Sequence, residues 1–388
     1  IRRPPRSTQS RSSAASDVYK RQPLILRESE FKELFTQDLP MVDVRAPLEF
    51  ERGAFPNAVN LPLLFDTERH QIGKKYKNAG KGAAINLANE LVCGESKQKR
   101  LGIWQKFLQE NPSAAVYCFR GGLRSQTTQQ WLADLDIDVP LVEGGYKALR
   151  RYLIDAIGTV RNNSKFMIIG GKTGSAKTHL LNTLNFSVDL EGLANHRGSA
   201  FGKRIQGQPS QINFENQLGI SLLKLPYEDA QQIFLEDESR SIGSMSIPKE
   251  FYDKMTGSPI AMLEESMETR VETIYKDYIY SNFQDFQDFE ADTAQEKFSD
   301  FLLGSLQRIQ RRLGAEKHTE LHVIMERALT HSDPAEAEIL HRQWIERLLR
   351  DYYDPMYDYQ INKKLDRVIY RGNREEFLAW AAHLNGHT

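Results

Sequence analysis

The feature that most restricts this fold is the stretch Gly171-Lys-Thr-Gly-Ser-Ala-Lys-Thr178, set between the apolar run Lys165-Phe-Met-Ile-Ile-Gly170 and the helical pattern that opens at Leu180-Leu-Asn-Thr-Leu184. A short apolar run reads as a buried strand, and a glycine-rich turn ending in Lys-Thr before a helix is a phosphate-binding loop in its required context. Backbone N–H groups around Gly171, Gly174 and Ser175 would cradle phosphates. Lys177 would reach terminal phosphate oxygens, and Thr178 could hold Mg²⁺. Ala176 stands before the lysine, where glycine is usual, and is expected to narrow the loop or weaken phosphate binding. Downstream, Gln232-Ile-Phe-Leu-Glu-Asp-Glu-Ser239 reads as an apolar strand ending in acids. Asp237 is the first metal-side candidate there, with Glu236 or Glu238 as alternates.

A second reactive loop lies earlier. Ala114-Ala-Val-Tyr-Cys118 reads as a strand, Phe119-Arg-Gly-Gly-Leu-Arg-Ser125 as a loop, and Leu123–Leu135 as a helix. Ligands gather beyond the carboxyl ends of strands in open α/β sheets. Two glycines let the backbone curl inward, the helix N-terminus adds positive potential, and Arg120 and Arg124 add charge. Such a cradle favours a thiolate and an oxyanion beside it. Cys118 is therefore the candidate nucleophile. Cys93 follows an apolar helical pattern without such neighbours and reads as a packing residue. Strands at 40–45, 58–62 and 139–143, alternating with helices at 85–92, 101–108 and 146–157, predict a parallel sheet with right-handed crossovers.

These residues resemble a rhodanese domain: Asp43-Val-Arg45, Phe50-Glu-Arg-Gly53 and Phe55-Pro-Asn-Ala-Val-Asn-Leu-Pro62 match its opening, and Cys118–Ser125 its active loop. The resemblance implies that Cys118 carries sulfane sulfur or selenium, here as an S-selanylcysteine intermediate, beside Arg120 and Arg124. Arg124 falls six residues after Cys118 rather than the five of the common single-domain loop. That length also occurs in phosphatases of related fold, and it leaves room for phosphate or selenophosphate.

Composition bounds the rest. Lys and Arg number 51 against 52 Asp and Glu, a formal charge of −1, so nucleic-acid binding would need a local patch rather than a global excess. Two cysteines exclude a disulfide framework or a cysteine-rich zinc site and suit a reducing cytosol. No run of about 18 apolar residues predicts a membrane span. Residues 1–22 carry six basic residues against Asp17 alone, cannot bury enough surface to fold, and read as a disordered, non-native tail.

Between the two phosphate-site segments lies Leu190-Glu-Gly-Leu-Ala-Asn-His-Arg-Gly-Ser-Ala-Phe-Gly202, a polar loop with His196 and Arg197 adjacent. From about Phe251 the pattern is mainly helical. Arg308, Arg311, Arg312, Lys317, Arg342, Arg347, Arg350, Lys363, Lys364, Arg367, Arg371 and Arg374 recur there, interleaved later with Tyr352, Tyr353, Tyr357, Tyr359 and Tyr370. Basic and aromatic residues together suit loop RNA, where exposed bases stack, although acids are equally frequent.

The fusion of the two units is more specific than either. With Glu68-Arg69, Gly73, Tyr76-Lys77, Gly144-Gly-Tyr-Lys-Ala-Leu-Arg-Arg151, Leu193-Ala-Asn-His-Arg-Gly-Ser199, Glu236-Asp-Glu-Ser-Arg240 and Tyr352-Tyr-Asp-Pro-Met-Tyr357, the chain from about Pro23 to Leu384 is similar to the tRNA 2-selenouridine synthase family. Phe119 and Ala176 depart from its pattern. The resemblance implies a cytoplasmic, monomeric transferase acting on the wobble 2-thiouridine of tRNA, away from membranes. It would first geranylate sulfur with geranyl diphosphate and then exchange it for selenium from selenophosphate. No resident cofactor is implied, though Mg²⁺ can accompany the phosphates. The expected architecture is a rhodanese-like α/β domain at 23–158, then a P-loop NTPase-like α/β domain at 159–388 with a mainly helical C-terminal part. Two other readings of the residues stay open: a rhodanese-fold phosphatase on the Cys118–Arg124 loop, and a sulfurtransferase module switched by a nucleotide-binding domain.

Overall fold

The computed structural model describes residues 24–225 and 232–384; residues 1–22, read above as a non-native tail, lie outside them. The first sheet takes five parallel strands: β1 (Ile25–Leu26), β2 (Met41–Asp43), β3 (Ala58–Asn60), β4 (Ala115–Tyr117) and β5 (Leu141–Val142), in the order β1-β5-β4-β2-β3. Helices α1 (Phe31–Thr36), α2 (Pro47–Glu51), α3 (Asp66–Leu91), α4 (Gly94–Glu110), α5 (Leu123–Ala133) and α6 (Gly145–Asn163) surround it. β4 is central, and its wholly buried Ala-Val-Tyr run fits a strand covered on both faces.

Helix α3 begins at Asp66, well before the apolar pattern that predicts helix from 85, and is broken at Gly80, where φ is +78°. Cys93 is not a packing residue. Gly94, at φ +50°, turns the chain between α3 and α4 and leaves the thiol exposed.

The second sheet is also parallel: β6 (Lys165–Gly170), β7 (Ser187–Val188), β8 (Gln232–Glu236), then β11 (Ile260–Leu263) and β12 (Val368–Gly372), in the order β12-β11-β6-β8-β7; a separate hairpin pairs β9 (Ser241–Ile242) with β10 (Met245–Ser246). Around it lie α7 (Lys177–Leu181), α8 (Leu190–Leu193), α9 (Gln211–Lys224) and α10 (Lys249–Gly257). The remaining helices are α11 (Met267–Ile274), α12 (Ser281–Glu290), α13 (Ala294–Leu313), α14 (Ala315–Thr330), α15 (Pro334–Leu348), α16 (Asp354–Asn362) and α17 (Arg374–Leu384). Most of these pack into a separate apolar cluster around Leu302, Leu306, Met325 and Trp344. The chain then returns, and β12 extends the P-loop sheet through β11, a pairing hidden in a region that reads as helical.

The two sheets are joined through α6 and α9. α6 runs unbroken from the first unit into β6. Its Leu153 packs with Ile220 and Leu223 of α9, and Gly219 keeps the helices close there, since a Cβ would sit 3.0 Å from Leu153. Asn213 Oδ1 accepts from the Ala54 N–H at 2.8 Å, and Asn216 Nδ2 donates to the Ala54 carbonyl at 2.9 Å.

Candidate functional site

Cys118 sits at the carboxyl end of β4 and is only 3% exposed. Its sulfur accepts hydrogen bonds from the Gly122 N–H and the Ser125 hydroxyl, both at 3.3 Å. Burial pushes the thiol pKa up. Bonds from the Ser125 hydroxyl and N–H, the Arg120 N–H and the charge of Arg124 outweigh it, so the net direction is below the ordinary thiol value. Arg120 thus contributes through its backbone, while its exposed guanidinium lies 5.8 Å from the Phe119 ring. Arg124 is held in a bidentate pair with Glu49, at 2.6 and 3.2 Å, and Arg69 reaches the same carboxylate at 3.0 Å. Burial raises the Glu49 pKa, but Arg124 first, then Ala46 N–H and Arg69, hold it below the usual carboxylate range. Glu49 was not legible as a site residue; its sole local signal is its place in the first turn of the short helix α2, where its carboxylate accepts from the Ala46 N–H.

The loop rests on Gly144 and Gly145. A Cβ at Gly145 would lie 2.2 Å from the Cys118 carbonyl, and one at Gly121 would lie 2.9 Å from the Gly144 nitrogen. Tyr146 N–H donates to the Cys118 carbonyl at 2.9 Å. The Asp43-Val-Arg45 motif is a brace: buried Arg45 pairs with Asp43 at 2.6 Å, donates to the Gly53 carbonyl at 2.8 Å and lies 3.8 Å from the Tyr146 ring.

The second loop follows β6, the central strand of its sheet. Ala176 occupies the left-handed region at φ 60°, ψ 36°, which explains why glycine is usual there. Lys177 Nζ donates to the Gly171 carbonyl at 2.9 Å, and the Gly171 N–H donates to the Tyr357 hydroxyl at 2.6 Å. Gly174, at φ +84°, packs on Arg270, whose Nε donates to the Thr173 carbonyl and whose guanidinium pairs with Asp354. The Ser175 hydroxyl is buried without a hydrogen-bond partner. Thr178 Oγ1 donates to Glu236 Oε1 at 3.2 Å.

The order of the acids reverses the sequence expectation. Asp237 points away into an ion pair with Lys364 at 2.7 Å, whereas Glu236, wholly buried, meets Thr178. Alternation along the strand sends adjacent side chains to opposite faces. Burial first, then the charges of Glu191 and Asp189, push Glu236 well above the usual carboxylate range; burial and Glu191 do the same to Glu238. The loop of His196 and Arg197 packs here too, since a Cβ at Gly198 would strike Glu191 and Glu238. Among the described residues no group of three or more His, Cys, Asp or Glu is arranged to hold a metal. Mg²⁺ would have Thr178 and Glu236 as protein neighbours and would depend on phosphate oxygens.

The basic–aromatic series is largely engaged internally. Arg342 pairs with Glu272 and Glu338, Arg347 with Glu320, Arg350 with Glu346, and Arg371 with Glu264. Tyr353 is buried. Arg311 and Arg312 on α13 remain exposed. No helix among the described residues is long and apolar enough to cross a membrane.

Residues 28–151 match the rhodanese-like domain family, and residues 164–387 match the family described as tRNA 2-selenouridine synthase AAA domain. The chain is 47% identical to the tRNA 2-selenouridine synthase of Pseudomonas syringae pv. syringae (strain B728a), over 91% of this chain and 96% of that protein. Proteins of the same name from Marinobacter nauticus (45%; 91% and 96%) and Alcanivorax borkumensis (46%; 90% and 97%) are similar over comparable spans.

Proposed function

The chain belongs to the tRNA 2-selenouridine synthase family, and from that premise we propose that it converts wobble 2-thiouridine of tRNA to 2-selenouridine through an S-geranyl intermediate. The observation that carries this reading is the pairing, in one chain, of a thiol poised for ionisation at Cys118 with a P-loop at 171–178.

In the first step the thiouridine sulfur attacks C1 of geranyl diphosphate. The S–C1 bond forms, the C1–O bond breaks, diphosphate leaves, and N3 of the base loses its proton. The loop N–H groups, Lys177 and Thr178 receive the diphosphate, and the N3 proton passes to solvent, since burial and mutual repulsion hold Glu236, Glu191 and Glu238 above the usual carboxylate range. In the second step selenium bonds to C2 while the C–S bond breaks and its electron pair departs with the geranyl sulfur. With water, the S-geranyl base and hydrogen selenophosphate give 2-selenouridine, geranylthiol and hydrogen phosphate. Alkylation turns sulfur into a competent leaving group. Cys118 acts on selenophosphate: its thiolate attacks phosphorus, hydrogen selenide leaves and bonds to C2, and water hydrolyses the S-phosphocysteine to phosphate, with Arg124 beside the anion.

The test is mass analysis of tRNA nucleosides after incubation with geranyl diphosphate and selenophosphate, each omitted in turn. S-geranyl-2-thiouridine should accumulate without selenophosphate and 2-selenouridine should require both. Selenouridine formed without geranyl diphosphate would refute the two-step reading. Cys118→Ser should stop at the geranyl stage, and Lys177→Ala should block geranylation.

A further inference from the structure

A cavity of about 710 Å³ opens in the first unit between α3 and α5, within the range of about 300–1,000 Å³ typical of small-molecule sites. Its walls are mainly apolar: Ile72, Ala84 and Ala88 from α3, and Leu123 and Trp131 from α5. Tyr76, Ile85 and Leu123 are 57%, 37% and 51% exposed around it, large apolar side chains left in water. Helix α3 runs between β3 and β4, and both of its halves, before and after the break at Gly80, supply one side of this space.

Two further observations point to an occupant. Leu123 and Arg124 belong both to the cavity wall and to the loop that holds Cys118. A leaving alkyl sulfur and the C2 atom receiving selenium are one bond apart, so the alkyl chain must lie close to this loop. Beneath the loop there is no space, because Gly144 and Gly145 are packed against it so closely that a single Cβ would collide. Arg69 and Arg124 share the one carboxylate of Glu49, and Lys81 stands nearby, so the cavity edge carries net positive charge suited to a nucleotide or selenophosphate anion.

We propose that this cavity between α3 and α5 receives the ten-carbon isoprenyl chain of the S-alkylated base while selenium released at Cys118 bonds to C2. The proposal rests on the two-step reading above. The chain contacts Ala84, Ala88 and Trp131, and the departing geranylthiol leaves through the same opening. The cavity thereby selects the alkylated base over free 2-thiouridine for the selenium step.

The full chain should be titrated with an anticodon stem-loop RNA carrying either S-geranyl- or S-methyl-2-thiouridine. Each buried methylene is worth about fourfold in affinity. With part of the chain engaged, wild-type protein should prefer the geranyl probe by about a hundredfold or more. Ala88→Phe, which fills the cavity from α3, should cut that preference below about tenfold without lowering affinity for the methyl probe. Leu123→Ser, at an exposed position, makes the same test if Ala88→Phe does not fold, and should also reduce the preference. A wild-type preference retained by both variants would overturn the cavity assignment while leaving geranylation standing. So would wild-type protein that geranylates tRNA yet binds both probes equally. Failure of wild-type protein to make S-geranyl tRNA at all would remove the two-step reading and this proposal with it.

Discussion

Replacing Ala176 by glycine tests the P-loop at the atom level. Ala176 sits at φ 60°, ψ 36°, immediately before Lys177 and α7. A left-handed conformation costs a residue with a Cβ roughly 1–2 kcal/mol. Glycine relieves that cost but brings extra freedom to the unfolded chain, worth about 0.4–1 kcal/mol in the opposite direction. The net expectation is a gain of about 1 kcal/mol or slightly less. For a cooperative unit of about 150–250 residues this corresponds to roughly 2–4 °C in Tm. Differential scanning calorimetry of the full chain should show that rise in the transition of the P-loop unit. Affinity for inorganic diphosphate should change by less than about twofold, because the strain is carried by the free and the occupied loop alike and no N–H group is added or lost. An unchanged or lowered Tm would refute the strain argument. A tenfold tighter diphosphate complex would show instead that the alanine methyl obstructs the cradle.

Three other outcomes are expected. Ser125→Ala removes a hydroxyl bond to the Cys118 sulfur worth about 0.5–1.5 kcal/mol, so the midpoint of Cys118 alkylation against pH should rise by roughly half to one pH unit; exposed Cys93 serves as the internal reference, and no rise would remove Ser125 from the cradle. Glu49 has a depressed folded pKa, so its contribution is present above the ordinary carboxylate value and is lost as pH falls through the folded one; Glu49→Gln should flatten the acid limb of stability below about pH 4.5, and an identical acid limb would show that the Arg124–Arg69 pairings contribute nothing. His341, buried and accepting from Trp344 Nε1, has its pKa lowered by burial to about 4. It is neutral when folded, so the unfolded chain gains a proton first as pH falls from about 6.5 towards 4, which removes up to about 3 kcal/mol from the helical unit; His341→Gln should reduce that slope in urea melts followed at several pH values, leaving the smaller part that His318, also lowered by burial, contributes.

Both candidate loops were legible as strand–loop–helix segments without coordinates because each is contiguous in sequence. Glycines at 121, 122, 171 and 174, a cysteine at a strand end and a lysine at a helix start act through backbone geometry within a few residues, and the structure places them at those element ends. The strands β4 and β6 were readable for the same reason: full burial writes a continuous apolar run. What tertiary structure alone decided is everything set by contacts across long separations. Glu49 meets Arg124 across 75 residues, and Tyr357 meets Gly171 across 186; no local periodicity encodes such pairings. Asp237 and Glu236 are neighbours in sequence with identical chemistry, and only the orientation of β8 against α7 and Lys364 sends one to Thr178 and the other away. β12 was hidden inside a helical region because an edge strand with alternating exposure has little apolar signal until β11 provides its partner. The cavity between α3 and α5 is likewise absent from the sequence, since an empty space belongs to no residue and exists only once two helices fail to close on one another.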